Sequence, residues 1–287
     1  MSSIVRSIDH PVIAVRDMGS SRQTYERLGF RIPPLGNHLE WGTGNWCIMF
    51  PSDYLELRGI ADPSRYTHNL DTFLDKRGEG LMGVAFAPTD SSDASYHAAR
   101  DKGFHPSEVK NLTRRFALPD GDSFPRFRLI YLDEAELPEL LTSVVCQHLT
   151  PELIRRPDWL DHPNGVTGVI SMTCVVEDPE TIAPVYQRLL GEAAFSSGSG
   201  RLVCRLARGA EIEFLNVGEA LSQLRLVEGT QLPTISSLTL GVQDVEVTAR
   251  VLSENKVDFD RQADGSLRVP PEFCCGVIIF FSEGGAK

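Results

Sequence analysis

Cysteine thiols can bind a metal or act as nucleophiles, and this sequence has six of them. The six of them stand at positions 47, 146, 174, 204, 274 and 275, mostly among Val, Ile and Leu, and none shows the C-x-x-C spacing of a zinc or redox site. This pattern predicts buried free thiols in a reducing cytoplasm. The neighbouring pair Cys274 and Cys275 could bind a metal or oxidise, but nothing near it in the sequence supports either reaction.

Two common sequence motifs, of phosphate binding and of serine hydrolases, are incomplete or absent. The Gly-rich stretch at 196–200 lacks the lysine and the strand–helix context of a phosphate loop, and no G-x-S-x-G elbow of a serine hydrolase occurs.

Arg126 and Arg128 alternate in a strand-like run and therefore share one strand face. On a concave face they would bind a carboxylate or phosphate of a substrate. On a convex face they would be solvated.

Composition excludes several classes of function. The chain has 287 residues, with 39 acidic against 28 basic side chains, a formal charge of −11 and no basic run. Binding to nucleic acid or to an anionic membrane is therefore not expected, because both depend on neutralising phosphates. No apolar stretch approaches the 18 residues of a membrane span, and the first ten residues do not resemble a secretion signal. We expect a cytoplasmic protein.

A repeated pattern indicates which elements position the polar residues. Four segments share an apolar run, an acid that opens a helix, and a closing Gly or Phe; the acids are Asp17, Asp90, Asp178 and Asp244. The closing residue follows the acid by 13, 14, 13 and 15 residues. An acid at a helix start accepts free backbone N–H groups and complements the helix dipole. Strand-like runs joined by short turns follow each helix, so each unit reads as β-α-β-β-β.

One such unit cannot cover its own sheet, whereas two together could form a curled sheet around a cavity. The segment 149–164 is rich in Pro, Asp and Arg and separates the second unit from the third. The sequence therefore predicts an α+β fold of four βαβββ units, paired into two domains with cupped mixed sheets at 1–150 and 165–287.

Several motifs resemble those of the vicinal oxygen chelate superfamily, which includes glyoxalase I, bleomycin-resistance proteins and extradiol dioxygenases. They are Ile-Asp-His-Pro-Val-Ile-Ala-Val at 8–15, Trp-Gly-Thr-Gly-Asn-Trp at 41–46, Tyr-Leu-Glu-Leu at 54–57 and His-Pro-Asn-Gly at 162–165. More narrowly, the chain is similar to the two-domain glyoxalase-like branch. The resemblance implies a cupped sheet for each pair of units, often with a divalent metal bound by the first and last strands.

On this resemblance, the metal ligands of the first domain are His10, Glu56 and His148, with Gly83 at the place of a fourth. Taken singly, each has an ordinary structural interpretation: a hydrogen-bonded or surface histidine, a solvent-facing glutamate and a histidine at a strand end. Together, two imidazoles and a carboxylate suit Fe(II), Mn(II) or Zn(II) and leave positions open for a substrate. The second domain offers at most Glu213 and is expected to be poor in ligands.

Other residues are expected near this cup. Trp41, Asn45 and Trp46 would form an aromatic wall with an amide donor, and the resemblance favours this over a turn that leads into an aromatic strand. Asn164 lies in a turn and is a candidate contact to the substrate. His162, in the same turn, is a candidate base or substrate contact behind the ligands.

We therefore expect a metal-dependent enzyme that binds adjacent oxygen atoms of a small substrate and stabilises an enolate-like charge, as an isomerase or a lyase. One alternative is an Fe(II) extradiol-type dioxygenase, although the members of that group place their ligands on other strands. Another is a metal-free protein that sequesters small molecules, as bleomycin-resistance proteins do. The apolar run 277–281 fits an interface between the domains or between the copies of a homodimer.

Overall fold

The structure is a computed structural model that describes residues 3–119, 121–191 and 195–284. Its first two repeated units fill the N-terminal half. In chain order their elements are β1 (Val5–Ala14), α1 (Met18–Arg27), β2 (Gly36–His38), β3 (Thr43–Met49), β4 (Tyr54–Ile60), α2 (Leu70–Arg77), β5 (Gly80–Pro88), α3 (Ser92–Asp101), β6 (Lys110–Leu118), β7 (Gly121–Ser123), β8 (Arg126–Tyr131) and β9 (Thr142–His148).

The third and fourth units fill the C-terminal half, after a short linking helix α4 (Pro157–Leu160). Their elements are β10 (Val166–Val175), α5 (Pro179–Leu190), β11 (Phe195–Gly198), β12 (Arg201–Arg205), β13 (Glu211–Leu215), α6 (Val217–Leu224), β14 (Thr234–Val242), α7 (Val245–Glu254), β15 (Asp260–Arg261), β16 (Leu267–Val269) and β17 (Ile278–Glu283).

The acids at the helix starts mostly act as the repeat predicts. Asp17, Asp178 and Asp244 are the N-caps of α1, α5 and α7, and each accepts a hydrogen bond from a backbone N–H group of its helix. The helix α3 differs, because its N-cap is Ser91, whose hydroxyl accepts from the N–H group of Ala94. The prediction that Asp90 opens this helix is wrong by one residue, since serine serves equally well as a cap.

The strands of the N-terminal half close into a ring. Strand β1 runs parallel to β4 and antiparallel to β5, and β5 runs parallel to β9. From β9 the pairing continues through β8, β6, β2 and β3 back to β4. Eight strands therefore form a closed ring with no free edge, and the side chains that point inward are shielded from solvent.

The strands of the C-terminal half form an open curved sheet. Its order is β11, β12, β13, β10, β14, β17, β16, β15, with β10 and β14 antiparallel at the centre. Within the described ranges no pairing joins β11 to β15. The same βαβββ unit therefore builds a closed ring in one half and an open sheet in the other.

Apolar packing joins the halves. The largest core contains side chains from both, and the pair Leu81 and Ile235 links β5 to β14. A second core fills the ring with side chains from β3, β4, β5, β6, β8 and β9 and from the linking segment that contains Ile154 and Trp159. The predicted α+β fold with curved mixed sheets is confirmed, whereas the division into domains at 1–150 and 165–287 stays a prediction. In the described part of the chain, no helix combines the length and the apolar character needed to cross a membrane.

Candidate functional site

A bulge in β1 brings two adjacent polar residues to one cluster. Ile8 pairs with Phe86 and His10 with the next residue of β5, Ala85, so Asp9 is an extra residue without a partner. Such a bulge breaks the alternation of side chains and re-aims one of them. Both Asp9 and His10 are therefore buried, at 4% and 3% exposure.

Glu56, on β4, is the most enclosed charge of the cluster, with no exposed surface. Its Oε1 accepts hydrogen bonds from Asn45 Nδ2 and Arg58 Nε, both at 2.9 Å. Its Oε2 lies 3.3 Å from Arg114 Nη2 and 3.0 Å from His10 Nε2. Burial opposes ionisation, but the two guanidinium groups and His10 outweigh it and hold the pKa of Glu56 well below its usual range. The carboxylate is thus ionised, and both of its oxygens are already engaged.

A chain of contacts continues from Glu56 to the end of the ring. His10 Nδ1 lies 2.7 Å from Asp9 Oδ2, and the same oxygen lies 2.9 Å from His148 Nε2. The His10 ring therefore lies between two carboxylates, and the Tyr54 hydroxyl also lies 3.4 Å from its Nε2. Burial disfavours the Asp9 carboxylate, yet His148 and His10 lower its pKa well below the usual range.

Aromatic rings hold these histidines in place. The ring of Tyr54 stacks on His10, with centroids 4.2 Å apart, and meets His148 edge-on at 6.0 Å. The Tyr54 hydroxyl also accepts a hydrogen bond from Arg114 Nη2 at 3.4 Å. Packing and hydrogen bonds therefore fix the orientation of both rings before any ligand arrives.

A second group of ligand atoms lies at the end of the ring. One ligand atom each from Asp9, Cys146 and His148 lie within 4.8 Å of one another, and the three residues line a depression of about 290 Å³. Burial and the nearby Asp9 charge raise the pKa of the Cys146 thiol well above its usual value. The buried Nδ1 of His148 has no hydrogen-bond partner in the described part of the chain. Arg6 and Arg208 also line this depression.

The structure thus brings His10 and Glu56 into direct contact and connects His148 to them through Asp9. Strict strand alternation places Asp9 on the opposite face from His10, so only the bulge could reveal it. Arg58 had a usable signal, because it stands two residues after Glu56 on the same strand and so on the same face. Arg114 comes from the other unit of the ring, and no local pattern indicates it.

The side chains of Trp41, Asn45 and Trp46 lie in three different environments. Asn45 joins the cluster through Glu56, and the Trp41 ring contacts the ring of His38 at 5.3 Å. Trp46 lies under α1, where its Nε1 donates to the carbonyl of Met18 at 2.8 Å.

The two arginines of β8 lie outside the ring. Phe127, between them, belongs to the core that fills the ring, so Arg126 and Arg128 lie on the outer face. Arg126 is exposed, and Arg128 Nη2 donates to Asp93 Oδ1 at 2.8 Å. The convex arrangement therefore applies to this pair, with Arg126 exposed to solvent and Arg128 paired with Asp93.

The turn at 162–164 connects the halves. His162 Nδ1 accepts from the N–H group of Arg31 at 3.0 Å, and Nε2 donates to the carbonyl of Met49 at 2.8 Å. Burial lowers the pKa of His162, which matches its neutral state between a donor and an acceptor. Asn164 is fully buried and donates from Nδ2 to the carbonyl of Leu28 at 2.9 Å.

The sequence is similar to one known protein family. The model of the glyoxalase-like domain family matches residues 8–190. No curated protein matches the sequence.

Solved structures share the fold at low identity. A hypothetical protein from Staphylococcus aureus superposes with a TM-score of 0.71 at 10% identity, covering 96% of this chain and 99% of its own. A mutant of 4-hydroxymandelate synthase from Streptomyces coelicolor gives 0.61 at 11% identity, covering 98% and 94%. A xylose isomerase-like TIM barrel/4-hydroxyphenylpyruvate dioxygenase fusion protein gives 0.58 at 16% identity, covering 100% of this chain but 50% of the fusion.

Proposed function

Because the chain belongs to the glyoxalase-like domain family, we propose that its N-terminal ring is a divalent-metal-dependent enzyme acting on a small molecule with adjacent oxygen atoms. The chemistry we propose is that of a lyase or an isomerase. The observation that carries the proposal is the convergence of Asp9, Cys146 and His148 beside an open depression.

These three residues fit a transition-metal ion. A carboxylate, a thiol and an imidazole together suit Zn(II), and their convergence leaves positions open to the depression. The high pKa of Cys146 arises from burial and from the negative charge of Asp9, and a dication would reverse that electrostatic balance. The unpartnered Nδ1 of His148 is an orphaned polar atom of the kind that a bound ligand can satisfy.

The ligand set that follows from the family resemblance shares only His148 with this one. We prefer the set at the end of the ring because the Glu56 carboxylate is already neutralised by Arg58 and Arg114. A dication bound to Glu56 would lie next to two buried guanidinium groups, and charge repulsion is strong where solvent is excluded.

The remaining residues have distinct roles in this proposal. A bound divalent ion would act as a Lewis acid toward two adjacent substrate oxygens. His10 holds the Asp9 carboxylate in position through its Nδ1, and Glu56 holds His10 in turn. Arg6 and Arg208 line the depression and would bind a negatively charged group of the substrate.

A metal-free binding protein is the second candidate. It is favoured by the saturation of both Glu56 oxygens and by the apolar core that fills the ring. In that case the depression would bind its ligand without an ion, through side chains such as Arg6 and Arg208.

The test is the metal content of protein purified without chelator and then equilibrated with Zn(II), Fe(II) or Mn(II). We expect about one ion per chain in the wild type. Asp9→Asn and Cys146→Ala should each lower this content strongly, whereas Cys204→Ala, a buried cysteine of the other half, should not change it.

Two outcomes would contradict the proposed ligand set. If Cys146→Ala and Asp9→Asn keep the ion while His148→Ala loses it, the ligands are those of the family resemblance. If the wild type holds no ion under any of the three conditions, the metal-free binding function replaces the enzymatic one.

A further inference from the structure

A separate cleft of about 300 Å³ lies between the two halves of the molecule. Its walls come from α2 and the start of β5 on one side, and from β14, β17 and the segment 225–231 on the other. It shares no lining residue with the depression beside Asp9. The cleft is therefore a separate site from the proposed metal site.

Four cationic side chains line this cleft: Lys76, Arg77, Arg225 and Arg268. Among the described residues that line it, Glu79 is the one acidic side chain. The imbalance stands out in a chain whose net charge is −11. A concave surface with a local excess of positive charge attracts anions.

The nearby acceptors do not neutralise these cations. Arg77 Nη1 donates to the backbone carbonyl of Pro233 at 2.9 Å, which carries no full charge. Arg225 and Arg268 share one carboxylate, that of Asp260, at 2.7 Å and 3.6 Å. Burial and the Arg225 charge lower the pKa of Arg268, and they outweigh the opposing effects of Asp260 and Glu272.

Two buried polar atoms of the lining residues lack partners in the described part of the chain. Arg268 is 5% exposed and its Nε has none, and Ser236 is 8% exposed and its Oγ has none. Buried polar groups without hydrogen bonds are rare and costly in folded proteins. A guanidinium N–H and a hydroxyl in one cationic cleft are the donors that an oxyanion accepts.

Much of the remaining lining is apolar, beside the polar side chains of Thr230, Gln231 and Thr234. Phe73, Leu81 and Ile278 are among the side chains of the wall. A ligand that fills the cleft therefore needs an apolar or aromatic body as well as a charged head.

We propose that this cleft binds a small organic molecule with a doubly charged oxyanion head, a phosphate monoester or a dicarboxylate, and an apolar body. Lys76 and Arg77 would contact the head from the N-terminal half, and Arg225, Arg268 and Ser236 from the C-terminal half. The ligand would thus bridge the halves and stabilise their contact.

The test is calorimetric titration of the full chain with four probes: phenyl phosphate, phthalate, benzoate and inorganic phosphate. We expect one of the two aromatic dianions to bind at least about tenfold more tightly than the monoanion benzoate, since a second charge adds charge-assisted hydrogen bonds. The tighter dianion identifies the head as a phosphate or a dicarboxylate. Inorganic phosphate should bind more weakly than phenyl phosphate, because it lacks the apolar body.

Variants locate the binding site. Arg77→Gln and Ser236→Ala should each weaken binding of the tighter dianion, by about tenfold for the charge change. Ser236→Ala should leave the melting temperature of the free protein unchanged or higher, since it removes an unpartnered hydroxyl. Arg261→Gln, at an exposed pair with Glu246, is the matched charge control and should bind normally.

The proposal is overturned if neither dianion binds more tightly than benzoate, or if Arg77→Gln and Ser236→Ala bind like the wild type. It is equally overturned if Arg6→Gln abolishes binding, because the probe would then occupy the depression beside Asp9.

Discussion

Asp53 should make the stability of this protein depend on pH. It lies in the turn before β4 and is 9% exposed, and its Oδ1 accepts the N–H group of Val169 on β10 at 3.0 Å. Gly168 permits this approach, since a Cβ there would lie 3.1 Å from Asp53 Oδ2. Burial raises the pKa of Asp53 to about 7, against the lowering effects of Val169 and Arg155.

The direction in which stability changes with pH follows from the raised pKa of Asp53. The fold favours the protonated carboxyl, so its contribution to stability is fully present below the unfolded pKa of 3.8 and is lost as the pH rises through about 7. A shift from 3.8 to about 7 corresponds to about 4 kcal/mol over the whole range, of which about 2.5 kcal/mol falls between pH 5 and pH 8.

The perturbation is Asp53→Asn, which keeps the acceptor for Val169 and removes the titration. Urea unfolding of wild type and variant at pH 5 and pH 8 gives the difference in their free energies of unfolding, from which titrations common to both cancel. We expect the difference to move by about 2.5 kcal/mol in favour of the variant at pH 8. Asp258→Asn, at an exposed position, is the control and should show no such change. If the difference between the two free energies of unfolding is the same at pH 5 and pH 8, the fold does not raise the pKa of Asp53.

Three further substitutions test the buried polar contacts. Glu56→Gln should lower the free energy of unfolding by about 3–5 kcal/mol in chemical denaturation, because Arg58 and Arg114 lose their buried carboxylate; a loss below 1 kcal/mol would contradict the contacts described. His162→Ala should cost about 2–4 kcal/mol by the same measurement and leave any metal content found for the wild type unchanged, since both ring nitrogens bond to the backbone; a lower metal content with unchanged stability would contradict this structural role. Asn164→Ala should lower the melting temperature and cost about 2 kcal/mol, because the carbonyl of Leu28 loses its donor.

Local patterns in the sequence are sufficient to predict the repeated unit, but not how each sheet curls or closes. Periodicity and the helix-opening acids depend on neighbouring residues alone, so they predict the four βαβββ units, and three of the four acids are N-caps. The family resemblance implied that His10 and Glu56 converge, and the structure puts them 3.0 Å apart.

Alternation alone could not predict which face of β8 points out of the ring. Alternation shows that Arg126 and Arg128 share a face, but which face is concave depends on how the whole sheet curls. The closure of the ring turns Phe127 inward and the two arginines outward.

The sequence alone is therefore enough for the repeat, the fold class and the polar residues of single strands. These depend on interactions between residues close in the chain. The tertiary structure decided the composition of the cluster. The bulge that re-aims Asp9 exists only through the pairing of β1 with β5, and Arg114 reaches Glu56 only because β6 closes the ring. The ionisation of Glu56, Asp9 and Asp53 follows from burial and from charges distant in sequence, which only the folded chain brings together.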